Sequence, residues 1–365
     1  MFGQLPFDIM FLIMLYAAGT ATATIACVYL LLRKGNAFDP DVKTPARLRR
    51  WTAVFFAVIA LGHVWYLPSV MFTSDDAIML SMLVGGLLDC LLTVPLAIVI
   101  LLCMLQDRQR PLWPVWVMML PMIVGIVFCI VTCSDTIMPM LRIYLLLMGI
   151  GLLIYMVREV RRYGRWLRDN YVDLEHKEVW QSFLVLAVIL LVFSIYASGF
   201  VGVTYEYIVQ VCGIVMICHL LWRVETLSDL SIRQPLAVNE ETVTIEEQKN
   251  PDEMEVLLQK HCIDAQLYLQ HDLTVSQLAQ AIGTNRLYLG QYFARKNTTY
   301  NTYINNLRIQ HFVGLYQEAV VTKRSFTAQQ LASDSGYRSY STFSLAFKQR
   351  MGQTVTAWMR ELAES

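Results

Sequence analysis

The sequence predicts an all-α protein in two parts: a bundle of seven transmembrane helices, then a cytoplasmic domain of two helix-turn-helix units. Three observations predict it. The chain has 365 residues and is 56% hydrophobic, which is high for a water-soluble domain and points to membrane spans. Its zero formal net charge hides a segregation, because Asp272–Arg360 carries 10 basic against 3 acidic residues while Glu225–Glu255 carries 2 against 9. Near the C-terminus, one short phrase occurs twice.

Seven apolar runs are long enough to cross a hydrocarbon core of about 30 Å, which takes ~20 helical residues. They lie near Asp8–Leu32, Trp51–Phe72, Ala77–Leu105, Leu112–Thr132, Ile137–Val157, Trp180–Phe200 and Tyr207–Trp222. The first is read as a retained helix and not a signal peptide, since Met1–Phe7 holds no Lys or Arg and the run is too long for a signal's apolar core.

The loops give the direction of threading. Arg33–Arg50 has six basic residues, Gln106–Pro111 two and Arg158–Val179 six, whereas Met1–Phe7, Thr73–Asp76, Cys133–Thr136 and Val201–Glu206 have none. Basic loops stay on the cytoplasmic side. The N-terminus is therefore expected outside the membrane, and the seventh helix delivers the chain into the cytoplasm at Arg223. The outer loops are too short to build a sensor domain, so a stimulus from outside has to be small, membrane-soluble, a property of the lipid bilayer, or a partner within it.

Three regions follow: a seven-helix membrane domain over 1–223, an acidic linker over 224–253 with Pro235, Asn239 and Pro251 as breakers, and a domain over 254–365 that opens with a helix near Met254–Leu269.

The repeated phrase is Thr274-Val275-Ser276-Gln277-Leu278-Ala279 leading to Gly283, and Thr327-Ala328-Gln329-Gln330-Leu331-Ala332 leading to Gly336. Thr with Gln three residues on fits a capping box, in which each side chain satisfies a backbone N–H of the other's residue. Leu278 and Leu331 can pack inward, and Ala279 and Ala332 are small enough for a second helix to cross closely. Gly283 and Gly336 suit a turn of positive φ. A second amphipathic helix follows each turn, with Leu287, Leu289 and Phe293 as the apolar positions of the first and Tyr340, Phe343 and Phe347 of the second. Tyr300–Ala319 reads as one helix between the units, with Tyr303, Ile304, Leu307 and Leu315 on its apolar face. Its ~30 Å length is close to the ~34 Å between successive major grooves on one face of DNA.

The segment from about Leu257 to Ala363 resembles the AraC/XylS-type DNA-binding domain, two helix-turn-helix units joined by one long helix. The resemblance is strongest over Gly336-Tyr337-Arg338-Ser339-Tyr340-Ser341-Thr342-Phe343-Ser344-Leu345-Ala346-Phe347-Lys348-Gln349-Arg350-Met351-Gly352. Leu345 stands where the family usually has Arg, Val355 where it usually has Pro, and Gln291 where Arg is frequent. The resemblance covers the last third of the chain. It implies a sequence-specific transcription regulator whose partner is double-stranded DNA, here tethered to a membrane.

In that reading the first recognition helix runs near Asn285–Lys296. Asn285, Arg286, Tyr288 and Gln291 are candidates for base edges, because Asn and Gln suit adenine and Arg suits guanine by bidentate geometry. Arg295 and Lys296 suit phosphates, which position without specifying. In the second unit Arg338, Ser339, Tyr340, Ser341, Thr342 and Ser344 surround the helix start, and Lys348 lies near its end.

Within the membrane part, Asp89 near mid-depth of the third span is a functional-site candidate, since a charged side chain is costly there. His63 is read mainly as a core histidine. Arg142, one turn inside the outer surface, can snorkel to it. These three are the candidates for sensing.

The eight cysteines include no Cys-x-x-Cys pair and most lie in apolar runs, so they are expected as buried thiols, with neither disulfides nor a metal site. No His-Glu-x-x-His, Gly-x-Ser-x-Gly, phosphate loop or dinucleotide fingerprint occurs, so no enzyme, cofactor or catalytic residue is expected. A homodimer is compatible with the sequence. The alternative is a membrane transporter or receptor whose cytoplasmic domain is regulatory or binds a protein. The bundle offers too few polar residues for a transporter, and the +7 balance over Asp272–Arg360 disfavours a protein-binding face.

Overall fold

A computed structural model describes residues 7–33, 43–65, 74–134, 136–174, 176–185, 187–188, 203–230 and 251–364. Among these the protein is all-helical, with one isolated β-bridge and no strand. The chain divides into two compact units, Met1–Tyr163 with Val179–Leu236, and Gly164–Glu178 with Ala237–Ser365.

The first unit holds α1 (Phe7–Leu32), α2 (Ala46–Trp65), α3 (Asp75–Leu88), α4 (Val94–Met104), α5 (Trp113–Thr132), most of α6 (Met138–Asn170) and α7 (Val203–Thr226). One π-helical turn, Asp89–Thr93, joins α3 to α4 without a break. Five runs among the described residues are long and apolar enough to cross a membrane: Ile9–Leu32, Asp75–Met104, Trp113–Thr132, Met138–Asn170 and Glu206–Thr226. Of the other two expected spans, Trp51–Phe72 is described only as far as Trp65, and Trp180–Phe200 mostly lies outside the described residues.

Large apolar side chains such as Leu31, Val124, Val131, Ile143 and Leu147 face outward, while small residues such as Ala23, Ala26 and Cys129 are buried. Small residues let neighbouring helices approach closely. At Gly125 a Cβ would lie 2.4 Å from Leu141 Cδ2, so a larger residue there would have to displace that side chain, where α5 and α6 meet.

One end of the bundle is fastened by charge. Arg49 donates to Glu225 at 2.6 Å, to the Leu30 carbonyl at 3.0 Å and to the Arg33 carbonyl. Arg110 donates to Glu159 at 2.7 Å and Asp107 at 2.8 Å, and Arg108 reaches Glu159 at 2.9 Å. These cations belong to the loops that are rich in Lys and Arg. The chain leaving α7 is held as well, with Gln106 donating to the Ser228 carbonyl and accepting from the Leu230 N–H, both at 2.9 Å. Leu227 and Leu230 are buried, so the chain stays packed for several residues beyond Val224, the expected start of the linker. The most acidic part of that linker lies outside the described residues.

All eight cysteines are free thiols, with Cys90, Cys129 and Cys262 buried. Cys218, expected as a buried thiol, is exposed, because an all-apolar helix gives no sign of which face meets its neighbours.

The second unit holds α8 (Pro251–Leu258), α9 (Val275–Ala281), α10 (Arg286–Arg295), α11 (Tyr300–Val321), α12 (Ala328–Asp334), α13 (Tyr340–Met351) and α14 (Val355–Glu364). The continuous helix expected over Met254–Leu269 is α8 followed by a π turn, Gln259–Asp264, and a 3-10 turn, Leu267–Leu269, with Gln266 at φ 53° between them. That left-handed residue breaks the helix, and no proline or glycine marks it in the sequence.

The 22 residues of α11 span ~33 Å and serve two separate cores. Tyr300 and Ile304 pack with Leu278, Leu289 and Phe293. Ile309, Phe312 and Tyr316 pack with Leu331, Phe343, Phe347 and Trp358. Each helix-turn-helix thus owns a core, and one helix carries both.

Candidate nucleic-acid interface

The repeated phrase builds the same turn twice. Thr274 Oγ1 accepts from the Gln277 N–H and Gln277 Oε1 accepts from the Thr274 N–H, a complete capping box. Thr327 keeps the forward half, accepting from the Gln330 N–H at 3.1 Å. The reciprocal half expected there is not formed, because Gln330 is exposed and water competes for its amide. Past each helix the pattern repeats atom for atom: Thr284 N–H donates to the Ala279 carbonyl and Gly283 N–H to that of Gln280, while Tyr337 N–H donates to the Ala332 carbonyl and Gly336 N–H to that of Ser333. This is the Schellman arrangement, and Gly283 and Gly336 supply its positive φ, 67° and 86°.

The second helices begin on side-chain caps. Asn285 Oδ1 accepts from the Tyr288 N–H at 2.9 Å, and Ser339 Oγ accepts from the Thr342 N–H at 3.3 Å. Both are candidates for DNA contact, Asn285 at a base edge and Ser339 at the helix start, and both have an oxygen committed to the backbone. Ser339 Oγ also lies 2.9 Å from Ser341 Oγ and 3.0 Å from Thr342 Oγ1. The caps hold α10 and α13 with Leu289 and Phe293, and Phe343 and Phe347, turned inward.

The outer faces carry most of the polar candidates. Arg286, Gln291 and Arg295 are exposed on α10, with Tyr288 half-buried; Tyr340, Ser341 and Lys348 are exposed on α13, with Thr342 and Ser344 half-buried and Arg338 exposed just before it. Lys296 is exposed and donates to Glu255 at 2.9 Å. Two apolar assignments are corrected. Leu287 is 66% exposed, because it stands two residues from Leu289 and so on another side of the helix. Tyr340 is 36% exposed, at the rim and not within the core.

A residue the sequence did not single out joins the two units. Arg308, on α11 between the cores, is 2% exposed. Its guanidinium donates to the Tyr268 carbonyl at 2.7 Å and the Gln270 carbonyl at 2.8 Å, and lies 5.4 Å from the Tyr337 ring centre. Beside it, a Cβ on Gly336 would meet the Leu269 carbonyl oxygen at 2.7 Å, so the second turn sits against the backbone of residues 268–270. Asp272, at φ 55°, lies 3.4 Å from Arg338 and 3.6 Å from Lys177. Burial pushes the Cys262 thiol up to about 11, which marks an inert core thiol.

Of the membrane candidates, Asp89 opens the π turn and accepts from Thr93 Oγ1 at 2.9 Å. Arg142 is exposed. His63 lies on α2, but its side chain is outside the described residues. Among the described residues no cluster of His, Cys, Asp and Glu could hold a metal ion.

Residues 255–361 match the family model of a helix-turn-helix domain. The match is of AraC type, as the resemblance of the sequence implied, and it supports DNA-binding transcription regulation. No curated protein and no solved structure matches the chain.

Proposed function

We propose that the protein is a membrane-integrated, sequence-specific transcription regulator, a one-component sensor whose membrane domain detects a stimulus and whose C-terminal domain binds DNA. The observation that carries this reading is the duplicated helix-turn-helix on one shared helix, with Arg286, Gln291, Arg295, Arg338, Ser341 and Lys348 presented outward. Arg286 and Gln291 are assigned to base edges, with Tyr288 and the remaining Asn285 amide beside them. Arg295, Lys296 and Lys348 are assigned to phosphates. In the second unit Arg338, Tyr340, Ser341, Thr342 and Ser344 surround the DNA-facing helix start, and Ser339 acts through its cap.

Seven spans with the N-terminus outside a bacterial inner membrane would put this domain in the cytoplasm, a threading supported by the 14 basic residues of the alternate loops against none in the others. The stimulus is small or membrane-soluble. Asp89 is the first place to look for its effect, because a π turn at a carboxyl within a span is a common mark of function.

The test is capture of genomic fragments by the full-length chain in lipid nanodiscs, against nonspecific competitor. Enrichment of a few fragments that share a sequence supports the regulator. Uniform retention, or none, refutes it.

A further inference from the structure

Residues Gly164–Glu178 pack with the helix-turn-helix unit, although in the chain they lie between two segments read as membrane spans. Their seat is specific. Tyr171 forms an antiparallel bridge with Thr274, the cap of α9. Asn301 Nδ2, in the first turn of α11, donates to the Tyr171 carbonyl at 3.2 Å and to that of Val172. Val172 is 2% exposed and belongs to the core of the first helix-turn-helix. Lys177 is buried, its side chain 3% exposed. Its ammonium donates to the Asp173 carbonyl at 2.7 Å, lies 5.5 Å from the Tyr171 ring centre and faces Asp272 at 3.6 Å. Lysine is almost never buried so fully without a partner, and here the partner is a carboxylate of the other segment.

Two routes lead from this loop to the second helix-turn-helix. Asp272 is shared between Lys177 and Arg338. Asn301 Oδ1 accepts from Asn305 Nδ2 at 3.1 Å, and the Asn305 carbonyl accepts from the Tyr337 hydroxyl at 3.5 Å. Tyr337 adjoins Arg338 in the chain.

We propose that the loop Tyr171–Lys177 is the input through which the membrane domain sets the DNA-binding domain. Docked, its Lys177 offsets the charge of Asp272 and weakens that carboxylate's hold on Arg338, leaving the guanidinium available to DNA. Withdrawn by a movement of α6, it leaves Asp272 to Arg338, which is then held off the DNA. The inference rests on the reading of the protein as a DNA-binding regulator, and it adds the contact that carries the signal. It also makes the chain run between the units three times, after Tyr163, Glu178 and Leu236, and not through the acidic linker alone.

Docking and its effect are tested separately in the full-length chain in nanodiscs. Tyr171→Cys with Thr274→Cys places two thiols across an antiparallel bridge, within disulfide reach. Mild oxidation should join them within one chain, as read by mass spectrometry of the linked peptides. Failure to join while Cys262 stays protected from alkylation, and hence the domain folded, overturns the docking. Because Thr274 is a cap, Asn301→Ala is the second variant. It should raise hydrogen exchange at residues 171–174, and unchanged exchange also counts against the seat.

For the effect, Lys177→Ala should weaken retention of the captured genomic fragments roughly fivefold. In an Asp272→Asn background the same change should do nothing. No loss with Lys177→Ala, or a loss that persists with Asp272→Asn, overturns the role assigned to the pair. If the unaltered chain selects no DNA, the regulator reading fails and this role fails with it, while the disulfide still reports the docking.

Discussion

The two helix-turn-helix units share a phrase, a turn and a core, yet their second helices begin differently. In the first, the chain goes from Gly283 to its cap at Asn285, and the first cation, Arg286, stands inside the helix. In the second, one more residue intervenes, the cap is Ser339, and the cation Arg338 stands before it, within reach of Asp272. One scaffold therefore presents positive charge on opposite sides of a helix start. The buried positions repeat across the two units, and the outward ones do not, so an outward residue of one unit cannot be found by counting from the other.

The largest expected effect tests whether the two units fold as one. Arg308→Ala removes the buried group that satisfies two carbonyls between them, so it should destabilise the domain by about 3 kcal/mol or more. The rate of Cys262 alkylation in the folded chain measures this, because that thiol opens to reagent only when the domain does. Wild-type protection in the variant would mean that the units stand independently.

Next is the turn. Gly336→Ala forces a side chain into a positive φ and against the backbone of Leu269, and should cost about 2–3 kcal/mol. Gly352→Ala has a similar φ but open space around it, and should cost about 1 kcal/mol. Equal losses in chemical denaturation would remove Leu269 from the account.

A smaller contrast concerns the caps. Thr274→Ala breaks a two-way capping box and Thr327→Ala a one-way cap, so both should cost ~1 kcal/mol, the first more than the second. The reverse order would show that the two phrases differ in a way their hydrogen bonds do not explain.

The smallest effect lies on the shared helix. Burial holds the His311 imidazole below its ordinary value, with Asp334 opposing in part. A depressed histidine stabilises the fold above the unfolded-state value of about 6.5, and that stability is lost as pH falls through it toward the folded value. His311→Gln should flatten the acid side of the domain's stability profile as pH falls below about 6.5. An unchanged profile would assign the acid loss elsewhere.

Much of this was legible in the sequence because it is local. Thr274 and Gln277 are three residues apart, Gly283 follows at a fixed offset, and Leu289 with Phe293, or Phe343 with Phe347, fall at helical spacing. What the sequence hid is long-range. Arg308 counts as one more basic residue of a positively charged domain, and only the fold brings it to carbonyls 38 and 40 residues away. Lys177 counts as one more cation of a basic loop, whereas its seat depends on Asp272, far along the chain. Composition records that a charge is present and carries nothing about whether it is buried.

The central claim is that both units read DNA at once, set a groove apart by α11. Hydroxyl-radical footprinting of a captured genomic fragment with the full-length chain tests it most directly. The account predicts two protected patches on one face of the duplex, about 10 base pairs apart, with Arg286→Ala weakening one patch first and Arg338→Ala the other. A single patch that both substitutions weaken alike would contradict it.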